Sequence, residues 1–196
     1  MTKKDRFIKR SFDMALALVG LVLSFPVIVV AWVIASIETK SNGFFLQKRV
    51  GENGKLFTII KIKTMKNSKG GTVTTANDTR ITKSGRFFRK YKIDELPQLI
   101  NILKGDMSFV GPRPDVPGYA DRLEGDDRVI LSVKPGITGP ATIKYKNEEE
   151  ILANVKDPLE YNNKVIWPDK VKINKEYIKN WSLKKDIGYI IKTIKG

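Results

Sequence analysis

Asp94 and Glu95 stand side by side in the stretch KIDELPQLINILKGD, with Pro97 two residues further on. Proline is tolerated in the first turn of a helix and disrupts it later, so the two acids belong at or just before a helix N-terminus. An Asp there is a good N-cap, and an acid in the first turn suits the helix dipole. A second reading is chemical. Free N–H groups at a helix start draw phosphate oxygens, an ionised Asp can attack phosphorus as in aspartyl-phosphate enzymes, and the adjacent Glu can hold a magnesium ion bridging the phosphates. Arg113 lies between Pro112 and Pro114. The prolines stiffen the backbone that presents it, and a guanidinium makes bidentate bonds to phosphate oxygens. Lys61 and Lys63 alternate along KIKTM and either line the same anionic site or stand solvated at a strand edge.

Histidine and cysteine are absent from all 196 residues. That excludes a Ser-His-Asp triad, a thiol nucleophile, a His/Cys zinc site and any disulfide. Chemistry has to come from Asp, Glu, Lys, Arg, Tyr, Ser or Thr, and a metal should be a hard ion held by oxygen, magnesium first. The net charge of +15 calls for anionic partners: nucleic acid, lipid headgroups or phosphorylated small molecules. GENGK lacks the spacing of a phosphate-binding P-loop, and no helix-turn-helix or RNP-type pattern is present, so nucleic acid is not expected.

The elements that must position these groups are legible in outline. FFLQKRVG and KLFTIIKIKTM, joined by Gly-Glu-Asn-Gly at 51–54, read as a β-hairpin. Residues 66–85 are polar and glycine-rich and predict a mobile surface loop, after which RFFRKY begins a helical stretch. Leu99, Ile100 and Leu103 fall at helical spacing after the acidic pair, and Gly105 supplies the stop. NEEEILANV reads as a helix, and EYIKNWSLKKDIGYIIKTIKG as amphipathic. Its Tyr177, Trp181 and Tyr189, with Trp167 before them, either rest at a headgroup layer or pack in a core.

Residues 14–37 carry no charge across 24 positions. As a helix they would run about 36 Å, enough for a bilayer core of about 30 Å. The run is too long for a cleaved signal peptide, and no small-residue cleavage site follows it. TKKDRFIKR before it carries five basic residues against one acid. Pro26 near the centre removes one backbone hydrogen bond, and the Ser24 hydroxyl could bond a carbonyl freed at the resulting kink. A helix that dips into one leaflet and returns, and a spanning helix with a tolerated proline, fit these residues equally.

KRSFDMALALVGLVLSFPVIVV, FFLQKRVG, FTIIKIKTM, RKYKIDELPQLINILKGDMSFVGPRP, KPGITGPATI and WSLKKDIGYIIKT together resemble, nearly end to end, the bacterial sugar transferases called monotopic phosphoglycosyl transferases. The resemblance implies transfer of a sugar-1-phosphate from a UDP-sugar to undecaprenyl phosphate, with release of UMP and a need for Mg2+. This step starts polysaccharide or glycoconjugate assembly at the bacterial inner membrane, with the catalytic domain on the cytoplasmic face. Asp94 would be the nucleophile that forms an aspartyl-phosphosugar. Glu95, with Asp94, would hold the metal. Arg89 and Arg113 match positions that contact phosphates, and Lys146 stands where an arginine is frequent. The implied fold is α+β. Residues 1–40 form a re-entrant membrane helix broken at a Ser-Pro, and 41–196 form one compact mixed domain with a β-hairpin, short helices and amphipathic interfacial helices. Anionic membrane lipids are expected partners, and a homodimer is compatible with the reading. The chain departs from the family at three places: Phe25 intervenes between Ser24 and Pro26, Pro140-Ala141-Thr142 stands where Trp-Ala-Gln is common, and Lys146 keeps a charge but loses the guanidinium fork. On the residues alone, two rivals stand beside this reading. One is a membrane-anchored phosphohydrolase, in which water resolves the Asp94 intermediate. The other is a non-enzymatic scaffold, in which Asp94 only caps a helix.

Overall fold

The uncharged run becomes the middle of a single 37-residue helix, α1 (Lys3–Thr39), in a computed structural model that describes residues 1–66 and 78–195. Its start is fixed by a capping box. Thr2 Oγ1 accepts from the Asp5 N–H at 3.1 Å, and Asp5 Oδ2 accepts from the Thr2 N–H at 2.7 Å. The buried positions are Lys9, Asp13, Ala17, Ile28, Ala31, Ala35 and Thr39. Their spacing of whole turns puts them on one side of the helix, and the small residues let it lie close to the rest of the chain. A Cβ added at Gly20 would meet Leu99 at 3.4 Å. The opposite side exposes Val22, Leu23, Phe25 and Ile37. Only 17% of the most apolar window of α1 is buried, unlike a core helix of a water-soluble domain, and this fits association with a membrane.

α1 runs unbroken through Pro26. The Ser24 hydroxyl donates to the Gly20 carbonyl at 2.7 Å, and not to Val22, whose i+4 partner is the proline without an N–H. Both ends of α1 are fastened to the same folded unit. Lys9 Nζ donates to Asp186 Oδ2 at 2.5 Å, and Arg10 donates to the Ile102 and Leu103 carbonyls at 2.6 and 3.0 Å. At the far end Glu38 accepts from the Ser84 hydroxyl at 2.5 Å.

The expected hairpin is present: β1 (Phe44–Val50) pairs antiparallel with β2 (Leu56–Ile62), with Phe45 opposite Lys61 and Arg49 opposite Phe57. Of the polar 66–85 segment, residues 67–77 lie outside the described residues. Its last part is not loop: Met65 bridges Ile81, and α2 (Lys83–Lys90) begins early, its Gly85 N–H bonded to Thr82 Oγ1 at 2.9 Å. α2 stops at Tyr91, because Lys92 adopts φ 57°, and a short 3-10 turn at Ile93–Glu95 carries the acidic pair. α3 (Gln98–Lys104) follows and ends at Gly105, φ 89°. β3 (Ser108–Val110) and β4 (Gly136–Thr138) pair in parallel. A Cβ on Gly136 would stand 2.2 Å from the Gly111 nitrogen, so glycine is required where VGPRP meets PGITG.

The C-terminal third is helical: α4 (Pro140–Lys144), α5 (Glu148–Ala153), α6 (Pro158–Tyr161), α7 (Trp167–Lys179) and α8 (Leu183–Lys195). The amphipathic stretch is therefore two helices. Its aromatic residues go inward: Tyr177 is buried in a core with Val50, Val110 and Ile178, and Trp167, Trp181 and Tyr189 pack against that core. Tyr177 and Trp181 donate to Asp186 at 2.8 and 3.0 Å, the carboxylate that holds Lys9. Of the two placements open to these four rings, core packing is the one found; what α8 leaves outside is Ile187, Ile191 and Ile194.

Candidate active site

Asp94 and Glu95 sit in the 3-10 turn just ahead of α3, where the proline spacing puts them, but neither caps that helix. The N-cap position belongs to Pro97 and has no side-chain hydrogen bond. Asp94 is buried, and its Oδ1 has no hydrogen-bond partner among the described residues. A carboxylate whose purpose was capping would not look like this. The N–H groups of Glu95, Leu96 and Leu99 are already bonded to Lys92, Ile93 and Leu96 within the turn, so the helix start offers a ligand less than the sequence predicts.

Glu95 has the opposite surroundings. Its Oε1 accepts from Lys61 Nζ at 3.0 Å and from Arg113 Nη2 at 3.1 Å. The pair therefore divides. Burial, and then the charge of Glu95, push the Asp94 carboxyl up to about 6, against Lys61, Lys92 and Arg89. Burial also resists ionisation of Glu95, but Arg113, Lys61 and Lys92 overcome it and hold that carboxyl well below the usual range. Neighbouring acids whose environments drive their pKa values apart are suited to separate chemical tasks. Glu95 is a fixed charge. Asp94 is a desolvated carboxyl, pushed up to about 6, with one oxygen unbonded among the described residues.

Three pieces of chain hold the cations. Lys61 comes from β2, and burial draws its ammonium below its ordinary value. Asn101 of α3 keeps that strand in place: its Oδ1 accepts from the Ile60 N–H at 3.0 Å, and its Nδ2 donates to the Thr58 carbonyl at 2.8 Å, as another strand would. Arg113 projects from a turn tacked down on both sides. The Pro112 carbonyl accepts from Gly136, the Pro114 carbonyl from Arg49, and the Asp115 carbonyl from Val50. Pro112 and Pro114 are buried while the Arg113 side chain stays 45% exposed, reaching into the site from a rigid base. Arg89, from α2, is near enough to help lower Asp94, and its guanidinium lies 3.8 Å from Glu149 of α5.

The remaining expected residues part from this group. Lys63 donates to Ser41 Oγ at 2.8 Å, so the two lysines of KIKTM face different partners. Lys146 is exposed on the turn after α4. A broad groove lined by Met1, Leu123, Trp167, Val171 and Lys175 contains neither acid of the pair. Two groups were missed by sequence reading. Arg49 bonds the Pro114 carbonyl at 3.2 Å and Gln47 Oε1 at 2.6 Å, and its Nε is buried without a partner among the described residues. Asp115 has its carboxyl pushed up to about 6 by burial, against Lys170, Arg49 and Arg113. Strand parity was the available signal for Arg49: with the turn at 51–54, it shares a hairpin face with Gln47 and Lys61.

The pattern of one known family, described as bacterial sugar transferase, matches residues 4–196. The chain is 34% identical over 98% of its length to an undecaprenyl-phosphate galactose phosphotransferase of Salmonella typhimurium. It is 35% identical over 97% of its length to a UDP-glucose:undecaprenyl-phosphate glucose-1-phosphate transferase of Escherichia coli. It covers only 41% and 40% of those two proteins. An uncharacterized sugar transferase, EpsL of Bacillus subtilis, is 35% identical, with 96% of this chain matching 86% of that one. With an acidic pair in divided surroundings, cations on three sides and an apolar helix alongside, this chain belongs to the bacterial sugar transferase family.

Proposed function

We propose that this protein is a phosphoglycosyl transferase that moves a sugar-1-phosphate from a UDP-sugar to undecaprenyl phosphate. Asp94 attacks the β-phosphorus of the donor, the bond from that phosphorus to the bridging oxygen breaks, and UMP leaves with the electron pair. A phosphate oxygen of the acceptor then attacks the aspartyl-phosphosugar. The acyl-phosphate P–O bond breaks, which restores the Asp94 carboxylate and yields the polyprenyl-diphosphate sugar. Arg113, Lys61 and Arg89 bind the donor's phosphates, with Lys146 an outer contact; Arg89 must exchange Glu149 for phosphate to do so.

The observation that carries this reading is the bare, buried Asp94 oxygen beside a Glu95 held ionised by two cations. The same donor set suits a hard ion. Among the described residues no cluster of three His, Cys, Asp or Glu side chains occurs, and Mg2+ commonly takes one or two carboxylates and completes its shell with phosphate oxygens and water. Asp94 and Glu95 would hold it, and when bound it would neutralise charge building on the diphosphate. The names of the relatives support the donor and acceptor classes.

The membrane reading rests on α1. Its two ends and its small-residue face bind one folded unit, which supports insertion from one side, with the apolar face in a single leaflet. The catalytic domain then lies on the cytoplasmic face, where UDP-sugars are made.

UMP release by the detergent-solubilised protein with Mg2+ and a panel of UDP-sugars, with and without undecaprenyl phosphate, tests the reaction. The expected result is a burst of about one UMP per enzyme without acceptor, steady turnover with it, and neither in Asp94→Asn. Steady turnover without acceptor would make the protein a phosphohydrolase.

A further inference from the structure

Between Asp78 and Asp94 the chain has no acidic residue, and α2 with its flanking turn presents Lys83, Arg86, Lys90 and Lys92 to solvent. Among these cations lie two exposed rings. Phe87 and Tyr91 are 54% and 57% exposed, their centroids 4.7 Å apart, with Lys90 Nζ 5.5 Å above the Tyr91 ring. One residue along, Phe88 turns the other way and is buried on Ile28, Ala31 and Ala35 of the uncharged part of α1. The ring pair therefore sits at the level of the membrane helix, and Tyr91 precedes Asp94 by only three residues. Nothing in the core needs these two aromatics.

We propose that Phe87 and Tyr91 are the seat for the phosphate-proximal isoprene units of the lipid acceptor, with Arg86 and Lys90 guiding its phosphate toward Asp94. This deepens the transferase reading and rests on it. The occupant must be apolar and flat-sided, carry an anionic head, and come from the membrane side of the nucleophile. A polyprenyl phosphate meets all three conditions. Bulk lipid has no reason to be bound beside the reacting carboxyl, and α1 already offers it a long apolar face. Branched unsaturated chains pack well on aromatic faces, and cations beside the rings favour the phosphate.

The test uses the full chain in detergent, with isoprenyl phosphates of increasing length as acceptors and a Phe87→Ser/Tyr91→Ser double variant. Wild type should gain kcat/KM as the chain lengthens. The variant should lose about tenfold with long acceptors and little with the shortest. Its UMP burst and donor KM should remain, showing an intact dyad, and Tyr91→Phe should restore the length dependence. Undiminished preference for long acceptors in the variant would overturn the proposal. A raised donor KM would reassign the rings to the nucleotide, and weakened binding to anionic vesicles would reassign them to bulk lipid. A diazirine-bearing isoprenyl phosphate, mapped by mass spectrometry, separates failure here from failure of the transferase reading. Labelling at 86–91 supports the seat even in a chain that does not turn over, and labelling elsewhere refutes it.

Discussion

Asp94 is buried, carries an unbonded Oδ1 and is pushed up to about 6. As the proposed nucleophile it would have to lose its proton, and the folded chain resists that loss. In the unfolded chain the proton leaves near the ordinary value of 3.8. Between these values the folded state holds a proton that the unfolded state has released, so this carboxyl lowers stability as pH rises from about 4 to about 6. At 1.36 kcal/mol per unit the loss comes to about 3 kcal/mol, complete above pH 6. Glu95 acts with the opposite sign: its depressed value gives stability that is present above the ordinary value of 4.5 and is lost as pH falls below it. Comparing wild type with Asp94→Asn isolates the first effect. The variant should be inactive yet more stable than wild type at pH 8, by up to about 3 kcal/mol, with the difference gone near pH 4. Thermal unfolding across that range measures it. The UMP burst of wild type should rise with pH through about 6. A variant less stable than wild type at pH 8 would mean that Asp94 is a structural group.

At the scale of elements, the site depends on β2 and α3 holding register, and one side chain does most of this. Asn101 is fully buried and pairs with both the Ile60 N–H and the Thr58 carbonyl, and with Asp106 at 3.2 Å. Asn101→Leu keeps the forked shape in a bulkier side chain and strands two backbone groups, at a cost of about 2–4 kcal/mol. The expected result is a clearly lower unfolding temperature in detergent, with weaker donor binding as Lys61 loses its place beside Glu95. An unfolding temperature equal to wild type would mean that water serves that strand edge. Local features such as the hairpin, the proline-dated helix start and the rigid arginine turn were legible in the sequence, because turn residues and φ restrictions act over a few positions. Asn101 was not, since a polar residue in an apolar helix carries no sign of the strand it will meet. Nor was the difference in surroundings between Asp94 and Glu95, which depends on Lys61 and Arg113 arriving at Glu95 from 34 and 18 positions away. The aromatic residues of the tail stayed open between a headgroup layer and a core for the same reason: amphipathic spacing shows that a face is covered, and Asp186 and Val110 decide by what.

For the whole molecule, the decisive relation is between α1 and everything else. A helix of this length and apolarity invites a crossing, and a crossing would carry its ends to opposite sides of a bilayer core about 30 Å thick. The contacts oppose that. Lys9 is buried on Asp186 near one end, and Glu38 holds Ser84 near the other. Between them Ala17 packs with Leu99 and Ile102, and Ala31 and Ala35 with Phe88 and Ile62. Pulling the amino-terminal end through the membrane would strip an ion pair whose partners are 8% and 1% exposed, a loss of about 3–5 kcal/mol if one charge stays buried alone. Because the chain has no cysteine, single substitutions report on sidedness without background. Lys4→Cys and Lys48→Cys, both at exposed positions, should be protected together from a membrane-impermeant maleimide in intact spheroplasts. They should be labelled together in inverted vesicles. Labelling of Lys4→Cys alone in spheroplasts would establish a crossing, and the Lys9–Asp186 pair could then not exist in the membrane.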